Sequence, residues 1–436
     1  MIQPQGVTIR GGRVICPASG LDEVRDVHLA ERQIAAIAPP GEAPEAQIEL
    51  DAAGMLVCPG LVDVHVHLRE PGAEHKETIA TGTRAALLGG FTSVCAMPNT
   101  DPPPDTPQAV AQLRRRFAET GWCRAYPIGA ATVGNRREQL TDFAALKAAG
   151  CVAISDDANL LRTREQRREA LLRAAEAEIV FIAHAEDEEL SAGGVMHQGE
   201  LSRELGVPGQ PAETEVRCVE VWKAAWDSEE RRPPLHLAHL STAASVEVLR
   251  AWTNGPTAET APHYLALTDE AVREHGANAK MNPPLRTEQD RAALRQALAD
   301  GVISIIATDH APHTEEEKAR GLLEAPFGIV GLETALGVIF TELVEPGILS
   351  LRQALAALSS NPARRFGLEA GSLEVGMPAD VIVVDPHKAW RVQPDEFASK
   401  GRNTPFAGMM LQGKVEAVVV GGALAVRDGE VVASGE

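Results

Sequence analysis

The sequence predicts an α/β protein built on a (β/α)8 TIM-like barrel, with a small β-sandwich domain formed by both chain ends. Three observations predict this architecture. Short apolar segments alternate with helical segments through the middle of the chain, polar residues follow one apolar segment after another, and neither end shows helical periodicity. Such alternation is typical of parallel strands joined by helices. The predicted barrel strands are 61–67, 91–96, 123–128, 151–155, 179–184, 235–239, 257–260 and 302–307.

The segments between these strands have the spacing of amphipathic helices, and several end at glycine, a residue that readily terminates a helix. Eight strand and helix units within about 300 residues are what a (β/α)8 barrel requires. The predicted helices are 76–88, 107–120, 144–149, 164–177, 213–225, 243–251 and 287–300.

Both chain ends consist of short strands and tight turns. Each end alone has too few strands for a stable core, so we expect the two to meet in one domain. The predicted composite β-sandwich domain spans 1–60 and 367–436, and the barrel spans 61–366. The predicted terminal strands are 7–10 and 13–16, joined by a turn at Gly11 and Gly12, then 27–29, 34–37, 380–384, 415–420 and 424–426.

Composition narrows the function. With 436 residues and 44% hydrophobic content, the chain can bury one large core and a second, smaller one. Its formal net charge of -20 disfavours nucleic acid and anionic membrane surfaces as partners, so an anionic substrate needs a local positive group such as Arg69. Scattered cysteines, no apolar run of about 18 residues and no signal-like start lead us to expect a cytoplasmic protein with no membrane partner.

The strand ends carry the candidate chemistry, because active sites of such barrels lie at the C-terminal ends of the strands. His65 and His67 end the first strand and face the same side, about 7 Å apart, where two imidazoles can share a metal ion. The later strands are followed by Asn99, Asp156, Asp157, His184, His239, His263 and Asp309.

The number of ligands predicts two metal ions. Four histidines and two carboxylates exceed what one tetrahedral zinc uses, because a catalytic zinc takes three protein ligands and leaves one position open. Mixed nitrogen and oxygen ligands suit zinc, and Mn, Co or Fe also fit chemically. A carboxylate can bridge the pair, and spacing does not distinguish Asp156 from Asp157. Two metals about 3.5–4 Å apart suit amide hydrolysis, and the alternative is a closed site that only stabilises the barrel.

Three runs of residues resemble dihydroorotase motifs. Residues 63–69 with Pro71 resemble the first signature of that family, residues 307–313 with Lys318 resemble the second, and residues 155–157 match a third point of the barrel. The resemblance extends over nearly the whole chain. It indicates the amidohydrolase superfamily, and the long bacterial class I dihydroorotases are the most similar group.

The resemblance implies two Zn2+ per subunit. Many cyclic amidases of the superfamily bridge their metals with a carboxylated lysine after the fourth strand. The lysine found here, Lys147, lies in the preceding helical stretch, so the aspartate-bridged form fits better. The implied ligands are His65, His67 and Asp309 for the more buried zinc, Asp157 as the bridge, and His184 and His239 for the second zinc.

The resemblance also implies the reaction, the reversible interconversion of N-carbamoyl-L-aspartate and L-dihydroorotate in pyrimidine biosynthesis. A hydroxide held between the metals would attack the ring amide carbonyl, and Asp309 would pass its proton to the leaving nitrogen. Arg69 offers a planar fork for the substrate carboxylate. The other implied substrate contacts are Asn99, Asn282, His313, Phe327 and Gly328, the last two in the 311–328 segment, which is expected to cover the site as a loop or lid.

Two alternatives of function stay open at this point. The first is another cyclic amidase, such as a hydantoinase, dihydropyrimidinase or allantoinase. The second is a non-catalytic dihydroorotase-like subunit of aspartate transcarbamoylase. The resemblance also leaves a homodimer and an association with aspartate transcarbamoylase as partner predictions.

Alternatives also remain for single residues. Arg69 could form a surface ion pair with Glu70 or Glu74, and the proline-flanked asparagines could serve turns only. Asp63 lies on the face of the two histidines, and we hypothesise that it orients one imidazole. We place His75 and His263 outside the metal set and expect His310 to point away from it.

Overall fold

The N-terminal part of the chain forms five strands of one sheet. In the computed structural model, which describes residues 6–157, 159–229 and 232–432, these strands precede the barrel. They are β1 (Val7–Cys16), β2 (Leu21–Ala30), β3 (Gln33–Ala38), β4 (Ile48–Asp51) and β5 (Leu56–Pro59).

The predicted turn at Gly11 and Gly12 is wrong. β1 continues through both glycines, and its pairing with β2 shifts register between Ile9 and Gly12. Gly11 has a φ of 65°, in the left-handed region, and a Cβ on Gly12 would lie 2.4 Å from Cγ2 of Val57. The two glycines therefore form a bulge within one strand, not a turn between two.

Eight parallel strands form the predicted barrel. Each pairs with the next around the sheet. Between the first strand and the last, Val66 and His310 form a parallel bridge, and the His67 N–H donates to the His310 carbonyl at 2.9 Å, so the barrel is nearly closed. The barrel strands are β6 (Leu61–Val66), β7 (Phe91–Ala96), β8 (Arg124–Ala130), β9 (Ala153–Ser155) and β10 (Val180–Ala183), then, after an inserted pair β11 (Met196–His197) and β12 (Gly209–Gln210), β13 (Leu235–Leu237), β14 (Thr257–Thr260) and β15 (Ile305–Ile306).

Helices cover the barrel close to the predicted positions. The first, α1 (Ile79–Leu88), begins three residues later than predicted, because the Thr78 side chain caps it and accepts from the Thr81 N–H. The others are α2 (Pro107–Thr120), α3 (Phe143–Ala149), α4 (Arg164–Ala177), α5 (Glu188–Ser191), α6 (Glu200–Glu204), α7 (Glu213–Asp227), α8 (Ala243–Ala251), α9 (Pro262–Ala266), α10 (Ala271–His275), α11 (Glu288–Ala299), α12 (Glu315–Lys318), α13 (Gly321–Glu324), α14 (Ala335–Ile339), α15 (Leu351–Leu358) and α16 (Ser360–Phe366).

The C-terminal end returns to the first sheet, which confirms that both chain ends meet. The strands β16 (Val381–Arg391), β17 (Met410–Val420), β18 (Ala423–Arg427) and β19 (Glu430–Val431) extend it to nine strands, and β16 pairs antiparallel with β5. The domain boundaries 1–60 plus 367–436 and 61–366 stay a prediction, and residues 1–5 and 433–436 lie outside the described residues.

One hydrophobic cluster spans the barrel and the terminal sheet, and a separate cluster that includes Val7, Val27 and Val381 lies within the sheet domain. Ile15 and Ile382 of the sheet belong to the same buried cluster as Leu61 and Phe91 of the barrel. All six cysteines are buried and unpaired, as expected of apolar fillers. Within the described ranges, no helix combines the length and the apolar character needed to cross a bilayer.

Candidate active site

A cavity of about 200 Å3 opens at the C-terminal ends of the barrel strands. Nearly every residue singled out from the sequence lines it, although these residues come from distant parts of the chain. A larger cavity of about 630 Å3 lies near Trp122 and Pro378, and none of the candidate ligands lines it. The lining of the strand-end cavity is His67, Arg69, Asn99, Asp157, His184, His239, Met281, Asn282, Asp309, Ala311, His313, Phe327 and Gly328.

The first group of candidate metal ligands consists of His65, His67 and Asp309, all buried. Asp309 Oδ1 lies 3.0 Å from His67 Nε2 and 3.5 Å from His65 Nε2. Burial favours the neutral form of Asp309, but the adjacent His65 and His67 outweigh it and hold the pKa of this carboxyl below its ordinary value. One face of this group therefore offers two imidazole nitrogens and a carboxylate to a shared ion.

Asp157 lies at the centre of the second group, with His65 and His239. Its Oδ1 is 3.1 Å from His184 Nδ1, 3.7 Å from His239 Nε2 and 4.0 Å from His65 Nε2, and its Oδ2 is 3.9 Å from His67 Nε2. One carboxylate thus reaches imidazoles of both predicted zinc positions, which is the placement a bridging ligand needs.

Asp156 has a different environment from its neighbour. Its carboxylate accepts from the backbone N–H groups of His184 and Leu161, both at 3.1 Å. Burial raises the pKa of Asp156 to about 6. Asp156 therefore fixes the backbone at His184, whereas the carboxylate of Asp157 faces the imidazoles.

Three buried imidazole nitrogens lack a hydrogen-bond partner in the described part of the chain. They are Nε2 of His65, Nδ1 of His239 and Nε2 of His263. An unpartnered buried nitrogen is costly, and a metal ion would satisfy that of His65, which faces both carboxylates. The donor set therefore fits zinc, with imidazole and carboxylate ligands at hand.

Three residues of the site have a positive φ, a backbone conformation that residues other than glycine rarely adopt. Arg69, His239 and Asp309 have φ values of 60°, 34° and 48°. Such conformations cost free energy and persist where the surrounding structure enforces them, often at functional sites. Each lies shortly after the end of a barrel strand, where the chain turns the side chain into the mouth of the barrel.

Arg69 is held at the rim of the cavity without an ion pair to its neighbours in sequence. Its Nε donates to the Pro312 carbonyl at 3.2 Å, and Nη2 lies 3.3 Å from His313 Nε2. Glu70 pairs instead with Arg116 at 2.9 Å. The guanidinium is therefore oriented by the segment that follows Asp309.

The segment 311–328 contributes Ala311, His313, Phe327 and Gly328 to the cavity lining, and it contains the two short helices α12 and α13. That it covers the site as a lid stays a prediction. His313 Nε2 lies 2.8 Å from the Phe327 carbonyl, and Lys318 Nζ donates to the Pro326 carbonyl at 2.9 Å. Gly328 has a φ of 133°, and a Cβ there would lie 2.8 Å from the Ala311 Cβ. Only glycine allows this close approach of the backbone.

Both predicted asparagines bind protein groups as well as lining the cavity. Asn99 Oδ1 lies 3.0 Å from His67 Nδ1. Asn282 Nδ2 donates to Glu186 Oε2 at 2.8 Å, and its Oδ1 accepts from Gln210 at 3.1 Å. Glu186 also lies 2.9 Å from His184 Nε2. Glu186 was not predicted from the sequence, although its spacing of two from His184 is a usable signal.

The hypothesis that Asp63 orients an imidazole is wrong, because Glu259 contacts the imidazole of His65 instead. Asp63 accepts from the backbone N–H groups of His65 at 3.0 Å and Thr308 at 3.2 Å, because its carboxylate points along the barrel between the first and last strands. The imidazole of His65 meets Glu259 instead, with 2.7 Å between Nδ1 and Oε1. In the sequence, the signal for Glu259 is that a carboxylate lies within a short strand predicted to be buried.

Among the described residues, His75, His263 and His310 lie outside both groups of candidate metal ligands, and so does the predicted ligand His184. His310 turns away, with Nε2 3.3 Å from Glu77 Oε2. His263 is buried, and desolvation lowers its pKa to about 3. The ligand set therefore needs neither of them.

Known proteins of similar sequence decide the family. A model of dihydro-orotase-like proteins matches residues 54–226, and an amidohydrolase family model matches residues 289–426. A dihydroorotase of Pelotomaculum thermopropionicum is 48% identical over 423 residues, which cover 96% of this chain and 98% of that protein. One of Syntrophotalea carbinolica is 45% identical over 424 residues, with 97% and 99% covered. The chain belongs to the dihydroorotase family.

Solved structures agree with the fold of this dihydroorotase family member. An L-hydantoinase of Arthrobacter aurescens matches with a TM-score of 0.88 at 25% identity, covering 100% of this chain and 98% of that one. A dihydropyrimidinase of Brevibacillus agri matches with a TM-score of 0.84 at 23% identity, covering 98% and 96%. The dihydroorotase family makes the chain a cyclic amide hydrolase with a metal cofactor and a small-molecule substrate.

Proposed function

We propose that this chain catalyses the reversible cyclisation of N-carbamoyl-L-aspartate to L-dihydroorotate plus water in pyrimidine (UMP) biosynthesis, with two Zn2+ per subunit. The position of Arg69 carries the proposal, because its guanidinium lines the same cavity as His67, Asp157 and Asp309. A guanidinium beside metal ligands can hold a substrate carboxylate while an amide bond is cleaved close by. Hydantoin, dihydrouracil and allantoin have no such carboxylate.

The proposed ligands divide between the two ions as the motifs imply. His65, His67 and Asp309 would hold one ion, His184 and His239 would hold the other, and Asp157 would be shared by both. When bound, the zinc ions would supply Lewis acidity toward the attacking water and the substrate carbonyl. The relatives named dihydroorotase and the group of His65, His67 and Asp309 support the first site. His184 belongs to neither ligand group, and its place in the second site is supported by the 3.1 Å between its Nδ1 and Asp157 Oδ1.

Asp309 is the proposed proton carrier. Its pKa is held low by His65 and His67 against the effect of burial, so the carboxylate is unprotonated before the reaction. In the hydrolytic direction it takes the proton of the attacking water and delivers it to the leaving ring nitrogen. In the cyclising direction the same oxygen removes the proton from the ureido nitrogen.

The substrate carboxylate is proposed to bind Arg69, His313 and Asn99. The Asn99 oxygen faces His67, which leaves the amide N–H groups of Asn99 as donors for the carboxylate. Asn282 meets the pyrimidine edge, and the backbone of Phe327 and Gly328 closes the cavity over it.

The function is tested by comparing substrates. We expect hydrolysis of L-dihydroorotate, measured spectrophotometrically, and no comparable hydrolysis of hydantoin, dihydrouracil or allantoin. Turnover of the neutral rings with none of dihydroorotate would assign the chain to another cyclic amidase. No turnover of any of the four by zinc-loaded protein would favour a non-catalytic subunit.

Arg69→Gln is expected to raise the KM for dihydroorotate strongly. Removing one partner of a buried charge pair costs about 2 kcal/mol or more, and about 1.4 kcal/mol corresponds to a factor of ten. Arg69→Lys should recover only part of the loss, because lysine keeps the charge but not the fork. Arg116→Gln is the control, since Arg116 pairs with Glu70 and is not part of the cavity lining. An unchanged KM in Arg69→Gln would remove Arg69 from substrate binding.

A homodimer, an association with aspartate transcarbamoylase and a cytoplasmic location stay predictions. Size-exclusion chromatography of the protein alone, and then mixed with the transcarbamoylase, would test the first two.

A further inference from the structure

Glu259 lies behind the metal cluster, on β14, and belongs to neither sequence motif. Its side chain is buried, and Oε1 lies 2.7 Å from Nδ1 of His65. Its Oε2 lies 3.0 Å from Nε2 of His236, whose Nδ1 lies 2.8 Å from Oγ1 of Thr257. A chain of four polar side chains thus runs from the barrel interior to a metal ligand.

We infer that Glu259 is a positioning residue that fixes the orientation and tautomer of His65 and so strengthens the first zinc site. The inference rests on the proposed function, because it concerns the same metal centre. Among the described residues, Glu259 does not line the cavity, and His65 is the proposed ligand that its carboxylate hydrogen-bonds, so its effect on the reaction passes through His65.

The protonation of His65 follows from the chemistry of its partner. An ionised carboxylate only accepts hydrogen bonds, so Nδ1 of His65 has to carry the proton. Nε2 then presents a lone pair, and this is the atom that faces Asp309 and Asp157 without a hydrogen-bond partner among the described residues. Glu259 therefore selects the one tautomer in which His65 can bind a metal through Nε2.

Both oxygens of the Glu259 carboxylate meet imidazole nitrogens, Oε1 that of His65 and Oε2 that of His236. Because a carboxylate oxygen only accepts hydrogen bonds, Nε2 of His236 donates to it, and the Thr257 hydroxyl donates to Nδ1 of the same ring. The carboxylate is therefore held in place from both sides.

The other histidine of the first group provides a contrast. His67 Nδ1 meets the neutral amide oxygen of Asn99 at 3.0 Å, whereas His65 Nδ1 meets a carboxylate at 2.7 Å. An anionic acceptor binds the imidazole N–H more strongly and makes the opposite nitrogen more basic. Of these two histidines, His65 is therefore the one whose affinity for zinc depends more on its hydrogen-bond partner.

The test measures zinc retention in zinc-loaded protein. Glu259→Gln and the wild type are titrated with a chelator of known affinity, and bound zinc is counted by atomic emission. Loss of such an outer partner typically costs about 10–100-fold in metal affinity. We expect that loss for one of the two ions, with the other retained as in the wild type.

Two further variants complete the design. Glu215→Gln is the matched control, because Glu215 is also a buried carboxylate, but it accepts from Ser241 and Thr242 and hydrogen-bonds no imidazole of the described chain. We expect its zinc affinity to stay at the wild-type level. Glu259→Asp keeps the charge and withdraws the oxygen from His65, so an intermediate zinc affinity is expected, and this variant supplies the measurement if Glu259→Gln does not fold.

The outcomes separate this inference from the proposed function. Wild-type zinc affinity in Glu259→Gln, or in Glu259→Asp where that variant alone folds, would overturn the role of Glu259, whatever the substrate. Weakened zinc binding in a protein that does not hydrolyse dihydroorotate would leave the role of Glu259 standing and overturn the proposed reaction. A loss of zinc affinity of the same size in Glu215→Gln would mean that any buried carboxylate has this effect. That result would also overturn the role of Glu259.

Discussion

Asp309→Ala is expected to abolish turnover of dihydroorotate while leaving the fold intact. The carboxylate lies 3.0 Å from His67 Nε2, and we assign it both proton transfer and metal binding. General acid and base catalysis alone contributes about 10^2–10^4-fold. The loss should appear in kcat, measured spectrophotometrically, with an unchanged circular dichroism spectrum.

Asp309→Asn separates the two roles of this residue. It keeps the shape of the side chain but removes its basic oxygen, so a variant that still binds zinc and does not turn over assigns Asp309 to proton transfer. Asp300→Asn is the control, because Asp300 pairs with Arg250 at the surface and should leave kcat unchanged. Near-normal turnover in Asp309→Asn with zinc bound would remove Asp309 from the proton-carrying role.

Chelation of the metal is expected to abolish activity and to lower the melting temperature. Without an ion, the Nε2 of His65 is left without a partner beside the buried carboxylates of Asp157 and Asp309. A ligand present at 100 times its Kd stabilises the folded state by about 2.7 kcal/mol, so zinc should raise the free energy of unfolding measurably. Differential scanning calorimetry and the dihydroorotate assay would follow both effects in one preparation.

Restoration of activity identifies the kind of site. Zn2+ added to chelator-treated protein should restore activity and melting temperature together. Mg2+ should not, because it prefers oxygen ligands in octahedral geometry and this cluster offers four imidazoles. Full activity in protein purified without added zinc and containing no metal would contradict the metal site.

The course of the barrel could be predicted because its signals are local. Helices 107–120, 164–177 and 243–251 have the predicted bounds, since a threonine cap and apolar spacing both lie within the segment itself. The bulge at Gly11 and Gly12 could not, because two glycines also suit a turn, and only the approach of Val57 on β5 shows that the strand continues.

The separation of Asp156 from Asp157 also required the folded chain. The two carboxylates are adjacent in sequence, and the one that reaches the imidazoles is decided by where β9 ends and how its next residues turn. Asp156 is used by the backbone of His184, and Asp157 is then left to face His239 and His65. Neither residue type nor spacing carries that information.

By itself, the sequence determined the barrel, the meeting of the chain ends and the set of metal-binding residue types, because periodicity and motifs lie within short segments. Only the tertiary structure decided which side chains form hydrogen bonds with those ligands. Glu259 reaches His65 across 194 positions of sequence, and Asp63, only two residues away, binds backbone amides instead. A hydrogen bond depends on distance and direction in space, and the closure of the barrel sets both.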